Sequence, residues 1–365
     1  MSTIRARDLG LPFRGETGPY NAITDVPGVM VGMTTLIEGD GPLTPGRGPV
    51  RTGVTAILPR GFEKPLLPVW AGTFRFNGNG EMTGVHWIED GGYFAGPICL
   101  TNTHSVGIAH HAAIRWMIQT YPEDFLPVHQ WAMPVIAETY DGVLNDINGQ
   151  HLTESHVLSA LMGARSGPVP EGSTGGGTGM IAYGYKAGTG TASRRIAAGS
   201  SAYTVGVLVQ ANHGARQWLE VLGVPYGAED TPETMDRGSI IVVIATDIPM
   251  MPHQLKRVAR RATLGIGRHG TVGGNSSGDL FLAFTTKNPP PMPASGAEDI
   301  IVRALNDNSF DPVYEAVVQC VEEAVLNAMV QAGPMVAAKP EGRQIPAISH
   351  ERLRAIARVL RDRSN

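Results

Sequence analysis

Short runs in which nearly every residue is apolar recur along this chain, and they restrict its folding more than any other feature. They fall at residues 53–58, 97–100, 133–137, 202–209, 239–245 and 280–284. A strand with one wet face alternates apolar and polar residues, so an unbroken run belongs to a strand covered on both faces. Between the runs lie segments with helical spacing, at residues 108–121, 255–264, 312–331 and 350–361. The third opens on Asp311-Pro312, an N-cap followed by a first-turn proline, and stops at Gly333. Strands that need cover on both sides, with amphipathic helices to supply it, predict an α/β protein in which sheets lie between helical layers. Two turn-rich segments, 228–238 and 288–296, interrupt the pattern. The second carries Pro289, Pro290, Pro291 and Pro293 and cannot be helix or central strand. Elements of the same style continue past both, so residues 1–365 read as a single domain without internal repeats.

The last apolar run is entered in an unusual way. Gly273-Gly274-Asn275-Ser276-Ser277-Gly278-Asp279 brings a serine to the threshold of residues 280–284. Serine in such a loop ordinarily satisfies backbone groups of a turn. It becomes a nucleophile if the chain cuts itself in front of it, because the freed residue carries a hydroxyl and an α-amine. That amine, with a reference pKa of about 7.7–8.0, can accept the hydroxyl proton without a histidine.

Composition removes several other classes. A net charge of -4 leaves no basic footprint for nucleic acid. No apolar stretch has the length of a membrane span. Met1-Ser2-Thr3-Ile4-Arg5-Ala6-Arg7-Asp8 is charged and has no apolar segment behind it, so a cytoplasmic protein is expected. Cys99 and Cys320 are too few for a disulfide framework, and the 11 histidines show no metal-binding spacing. Thr103-His104-Ser105 reads as a turn with a structural histidine. The glycine-rich loops 77–80 and 175–179 fit neither a phosphate-cradling loop nor a dinucleotide fingerprint. They are tight turns or pocket backbone, and neither metal nor cofactor is expected.

A series of longer strings, in order along nearly the whole chain, resembles the L-aminopeptidase/D-esterase family, which includes the β-peptidyl aminopeptidases. The strings are Arg5-Ala6-Arg7-Asp8-Leu9-Gly10, Asn21-Ala22-Ile23-Thr24-Asp25-Val26-Pro27-Gly28-Val29 and Asn77-Gly78-Asn79-Gly80-Glu81-Met82-Thr83-Gly84. They continue as Ala137-Glu138-Thr139-Tyr140-Asp141-Gly142-Val143-Leu144-Asn145-Asp146, Val205-Gly206-Val207-Leu208-Val209-Gln210-Ala211-Asn212 and Ala245-Thr246-Asp247-Ile248-Pro249. The nucleophile loop and Val321-Glu322-Glu323-Ala324-Val325-Leu326-Asn327 complete the series. The resemblance implies a four-layer αββα sandwich like that of N-terminal-nucleophile hydrolases, with the family's own connectivity. It implies self-cleavage into residues 1–276 and 277–365, which stay together, and a homotetramer. The nucleophile falls on Ser277, with Ser276 as the alternative point of cleavage because serine precedes the cut here.

The remaining candidates follow from chemistry and resemblance together. Asn212, after an apolar run, either donates its amide to an oxyanion or caps a strand end. Tyr140 either donates its hydroxyl to the same oxygen, lines the pocket, or is a buried tyrosine. Glu138 is the expected partner of a substrate ammonium, or else a structural ion pair. The family's Ser-x-Glu pair falls on Cys320 and Glu322, with Glu323 as the rival carboxylate. Residues two apart on a helix point roughly 200° apart, so Cys320 and Glu322 cannot both face Ser277 from a regular helix. The expected activity is a cofactor-free aminopeptidase or amidase that releases small N-terminal residues from peptides, amides or esters bearing a free amine. Two alternatives are an acyltransferase of the ornithine acetyltransferase type, which cleaves before threonine, and an unprocessed, non-catalytic scaffold.

Overall fold

The protein is described by a computed structural model over residues 4–127, 130–198, 201–227, 236, 238–287, 289 and 301–363. Among the described residues, ten strands make two main sheets, with three two-stranded ribbons outside them. One sheet has the order β1-β2-β5-β6, from Met30–Glu38, Val50–Leu58, Ile98–Asn102 and Val135–Thr139. The other has the order β4-β3-β10-β9-β8-β7, from Tyr93–Phe94, Val69–Gly78, Gly278–Thr285, Ser239–Thr246, Ser201–Asn212 and Thr189–Ala198. Most neighbours are antiparallel; β5 with β6 and β9 with β10 run parallel.

The unbroken apolar runs are explained by three stacked cores. In β9, Ile241, Val243 and Ala245 face the other sheet, while Ile240, Val242 and Ile244 face the outer helices. In β10, Leu280, Leu282 and Phe284 point between the sheets and Phe281 and Ala283 point outward. The outer face of the first sheet is covered by α2 (Val106–Thr120) and α3 (Glu154–Met162). A short α1 (Val85–Gly91) lies beside β3 and β4. The second sheet is covered by α4 (Pro252–Arg260), α5 (Ala262–Gly267), α6 (Asp311–Val330) and α7 (His350–Asp362). The layers therefore run helix, sheet, sheet, helix, as expected.

Several boundaries differ from expectation. The run at 133–137 becomes a strand two residues later and includes Glu138, and the run at 202–209 extends to Asn212. The helical stretch at 255–264 is two helices that meet at Arg261. Asp311 is the first helical residue rather than the cap, and Phe310 takes the cap position without a side-chain bond. Strands β1, β3 and β7 were not anticipated. Their Gly and Thr content and the pair Arg194-Arg195 mask the apolar signal. One reason is visible at Gly190 of β7, where a Cβ would lie 2.0 Å from the carbonyl oxygen of Ala324 on α6. A larger residue would push the helix off the sheet. Most of the linker 228–238, and nearly all of 288–296, lies outside the described residues.

A buried ion-pair network locks α6 to the sheet. Glu323 accepts from Arg194 Nη2 of β7 at 2.6 Å, and both side chains are 1% exposed. The same carboxylate accepts from Arg7 Nε at 2.8 Å and Asn21 Nδ2 at 2.6 Å, which ties down the N-terminal segment. Burial alone would raise its pKa; the bond from Arg7, the charges of Arg194 and Arg7, and the bond from Asn21 outweigh that and hold it below 4.5. Removing one partner of such a network leaves an uncompensated charge, at a cost of about 3–5 kcal/mol. Glu323→Ala is therefore expected to lose about that much in urea denaturation at pH 7. A depressed folded-state pKa stabilises fully above the unfolded value and is lost as pH falls through the folded one. The gap between wild type and Glu323→Gln should accordingly close on acidification below 4.5, and a constant gap would contradict this assignment.

Candidate active site

Ser277 is placed by a tight turn and by the register of the central strands. Its backbone N–H donates to the carbonyl of Gly274 at 3.0 Å, closing a turn over Asn275 and Ser276. Ser276 is exposed, whereas Ser277 is 1% exposed. In the next position, Gly278 stands opposite Ser239 on β9 and Gly78 on β3, and its N–H donates to Ser239 Oγ at 3.0 Å. A Cβ on Gly278 would lie 2.2 Å from the carbonyl oxygen of Asn79, so only glycine lets the 79–80 loop lie against the strand start.

The polar groups around this turn converge on the Ser276–Ser277 peptide. Ser277 Oγ donates to Asp279 Oδ1 at 2.6 Å. Asn77 Nδ2 donates to Asp279 Oδ2 at 3.1 Å and to the Gly274 carbonyl at 3.2 Å. Asn79 Nδ2 donates to the Ser276 carbonyl at 2.7 Å. Burial raises the Asp279 pKa to about 6, against the opposing bonds from Ser277 and Asn77 and with added repulsion from Asp236. Asp279 and the two asparagine side chains were not anticipated as site residues. A signal existed for the first, because residues two apart on a strand share a face, and Ser-Gly-Asp has that spacing.

Glu138 reaches the same region from the other sheet. It is 4% exposed, accepts from the Glu81 N–H at 2.9 Å, and accepts the Thr103 hydroxyl. Burial pushes its pKa up, against the Thr103 and Glu81 bonds. A Cβ on Gly80 would sit 3.2 Å from Glu138 Oε1 and 3.6 Å from Gly278 Cα, so a single glycine separates this carboxylate from the strand that carries Ser277. A groove beside it is lined by Arg75, Gly80, Met82, His86, Glu89 and Leu280. In the Thr103-His104-Ser105 turn, the threonine rather than the histidine contacts the site.

Asn212 and Tyr140 sit together. Asn212 Nδ2 donates to the Tyr140 carbonyl at 3.0 Å and Oδ1 accepts from Ile181 N at 2.8 Å. In register, Asn212 pairs with Ser239, which pairs with Gly278. Two strand spacings of roughly 4.8 Å put Asn212 about 10 Å across the sheet from β10. Tyr140 is exposed, at 41%, so the buried-tyrosine alternative does not hold.

Cys320 and Glu322 are not brought to Ser277. The helix is regular, so they point in different directions, as the spacing demanded. Cys320 Sγ lies 3.7 Å from the Val205 carbonyl inside the outer core, and burial pushes its thiol up to about 12. Glu322 pairs with Arg268 Nη1 at 2.8 Å and lines a separate cavity with Arg14, Glu220 and Leu360. Glu323, the rival, is held in the network of Arg7, Arg194 and Asn21. None of the three bonds to Ser277, Asp279, Asn77 or Asn79. Among the described residues, no three His, Cys, Asp or Glu side chains form a group that could hold a metal ion.

Comparison with known proteins agrees with this architecture. The profile of Peptidase family S58 matches residues 21–343. The beta-peptidyl aminopeptidase BapA of Sphingosinicella microcystinivorans is 48% identical over 98% of this chain and 92% of its own. The L-aminopeptidase D-Ala-esterase/amidase of Ochrobactrum anthropi, described as a prototype for the serine aminopeptidases and a variant of the Ntn hydrolase fold, superposes with a TM-score of 0.92. It is 57% identical, over 98% of each chain. A Burkholderia sp. beta-aminopeptidase superposes with a TM-score of 0.87 at 42% identity, over 97% of this chain and 98% of its own. With most of its length matched and its four layers shared, the chain belongs to peptidase family S58 and is an aminopeptidase with an Ntn-hydrolase fold.

Proposed function

We propose that this aminopeptidase cleaves itself between Ser276 and Ser277 and then uses Ser277 as an N-terminal nucleophile. The observation that carries this reading is the buried Ser277 hydroxyl, bonded to a carboxylate and set directly behind a peptide whose carbonyl is held by Asn79. The exposure of Ser276 favours Ser277 over its neighbour as the new N-terminus. The single domain 1–365 then becomes chains 1–276 and 277–365. In the mature enzyme, the α-amine of Ser277 accepts the hydroxyl proton, Oγ attacks the substrate carbonyl, and water hydrolyses the acyl-enzyme. The resemblance gives Asn212 and Tyr140 the roles of oxyanion donor or pocket wall; Asn212 keeps a second amide hydrogen and stands opposite Ser239, one strand over from Gly278.

Glu138 supplies the reason for an amine requirement. A buried carboxylate close to the nucleophile strand gains a charge-assisted bond from a substrate ammonium. Substrates are peptides, amides or esters with a free N-terminal amine. The similarity to proteins named both for L- or D-residues and for β-peptides makes all three classes worth assaying. The family match to peptidases favours this reading over acyl transfer. We further propose a homotetramer, from the family resemblance, and a cytoplasmic location. The buried free thiols Cys99 and Cys320 are compatible with a reducing compartment. No helix of the described residues is long and apolar enough to cross a membrane.

Denaturing gels and N-terminal sequencing test the cleavage. A small fragment beginning at Ser277 is expected, and Ser277→Ala should stay one chain without activity. An intact wild-type chain after long incubation would refute the reading. Glu138→Gln should lower kcat/KM on an aminoacyl-p-nitroanilide by the equivalent of about 1.5–3 kcal/mol, and N-acetylating the substrate should do at least as much. Equal rates on free and acetylated substrates would remove Glu138 from amine binding. Cys320→Ser should lower the melting temperature, at a cost of about 1–3 kcal/mol for a buried hydroxyl, while processing and turnover are unchanged. Faster processing would return that side chain to the chemistry.

A further inference from the structure

The outer side of the second sheet carries a cleft that the chemistry above does not use. Its volume is about 550 Å³, within the range of small-molecule sites. Its walls come from the N-terminal segment, the ribbon of Glu220–Val221 with Val224–Pro225, the residue after α5, and helices α6 and α7. None of Ser277, Asp279, Glu138, Asn212 or Tyr140 lines it.

Four charged side chains line the cleft, and only two of them are paired. Glu322 is 5% exposed and accepts from Arg268 Nη1 through one oxygen at 2.8 Å. Its other oxygen has no hydrogen-bond partner among the described residues. The Glu220 carboxylate and the Arg14 guanidinium also line the cleft, and neither is paired among the described residues. An exposed charge needs no partner, but a carboxylate buried as deeply as Glu322 costs free energy for each oxygen left unmet. The two acidic walls are held at a fixed spacing. The ring nitrogens of the buried His269 lie 3.1 Å from the Glu220 carbonyl and 2.8 Å from the Glu322 carbonyl. The Glu220 N–H in turn donates to the His269 carbonyl at 3.0 Å. Arg14 rises from an equally fixed base, because its own carbonyl accepts from Arg194 Nε at 2.8 Å.

We propose that this cleft is a second ligand site, which takes a free amino acid with an apolar side chain. Arg268 neutralises Glu322, so the charges left over are one guanidinium and one carboxylate. That balance favours a zwitterion over a simple cation or anion. The ligand ammonium, with three donors and no acceptor, bonds Glu220 and the open oxygen of Glu322. The ligand carboxylate meets the Arg14 fork, and the side chain lies against Leu222 and Leu360. Free amino acids are what an aminopeptidase releases, so the ligand belongs to the enzyme's own product class. The assignment goes beyond the proposed chemistry and depends neither on self-cleavage nor on the role of Glu138.

The test is equilibrium dialysis of radiolabelled L-leucine against the purified protein. Glu138→Gln, which removes the proposed amine contact of the active site, should retain a saturable site. In that background, Arg14→Ala and Glu220→Gln should each weaken binding about tenfold or more, the loss of one charge-assisted bond. Arg14→Lys should keep most of the affinity. N-acetyl-L-leucine, without the ammonium, and isoamylamine, without the carboxylate, should each compete at least tenfold more weakly than L-leucine. Arg14→Ala and Glu220→Gln should melt with the wild type; if either does not, the two competitors decide on the unaltered cleft. Binding lost in Glu138→Gln but intact in Arg14→Ala and Glu220→Gln would put the leucine in the active site alone. That result would overturn the cleft assignment and leave Glu138 as the amine partner. No saturable binding, or competition by either analogue as strong as by L-leucine, would overturn it as well.

Discussion

Everything at the site depends on a close approach of backbone at Gly278. That residue lies in a row across the second sheet, from Asn212 on β8 through Ser239 on β9 to Gly78 on β3. The missing Cβ lets Asn79 and Gly80 lie on the strand start. From that contact, Asn79 reaches the Ser276 carbonyl, and Gly80 lies between the Glu138 carboxylate and the same strand. One position without a side chain thus sets both the Ser276–Ser277 peptide and the loop beside Glu138. An alanine there would overlap the Asn79 carbonyl and force the loop outward, separating groups that need sub-ångström placement.

The two sheets divide the labour. β10 lies at the centre of the second sheet, where β3 and β9 pair with it on both sides, and Ser277 sits just before its first residue. β6 contributes Glu138 from the edge of the first sheet. They meet because the apolar layer between the sheets, with Leu282 and Phe284 on one side and Leu100 and Ala137 on the other, fixes their separation. Phe94 meets Phe284 edge-on at 6.1 Å within that layer. A core of close-packed side chains transmits small volume changes, so the distance between Ser277 and Glu138 is set by packing as well as by the loops.

The layered architecture was legible in the sequence because it leaves a local mark, and the buried turn at Ser277 leaves one too. Unbroken apolar runs report two-sided cover, and the glycines before Ser277 report a tight turn. The groups bonded around Ser277 leave weaker marks. Asn77 and Asn79 resemble any asparagine in a turn, and their role depends on an antiparallel pairing with a strand some two hundred positions away. Strand β7 hides because Arg194 is buried by an ion pair rather than by apolar character. On α6, sequence placed Cys320, Glu322 and Glu323 in one functional stretch. The helix sends them to a core, a cavity rim and a salt-bridge network. Helical period already forbade the first two from sharing a target, and only the fold could say which targets they have.

The position of the proposed cut also explains how the protein could survive it. Cleaving before Ser277 severs no ladder bond of β10, which begins at Gly278 and stays between β3 and β9, both in the first fragment. The second fragment also carries α6, anchored to β7 through Glu323 and Arg194, and α7, whose Leu353, Ile356 and Ala357 enter the outer core. Phe281, Leu282, Ala283 and Phe284 are fully buried against first-fragment residues, and each large side chain of this kind stabilises by about 1.5–3 kcal/mol. Dissociation would expose all of them and leave β3 and β9 as open edges inside a core. The break falls at a surface turn, so it frees an amine at the active site while the packing that holds that amine in place remains continuous.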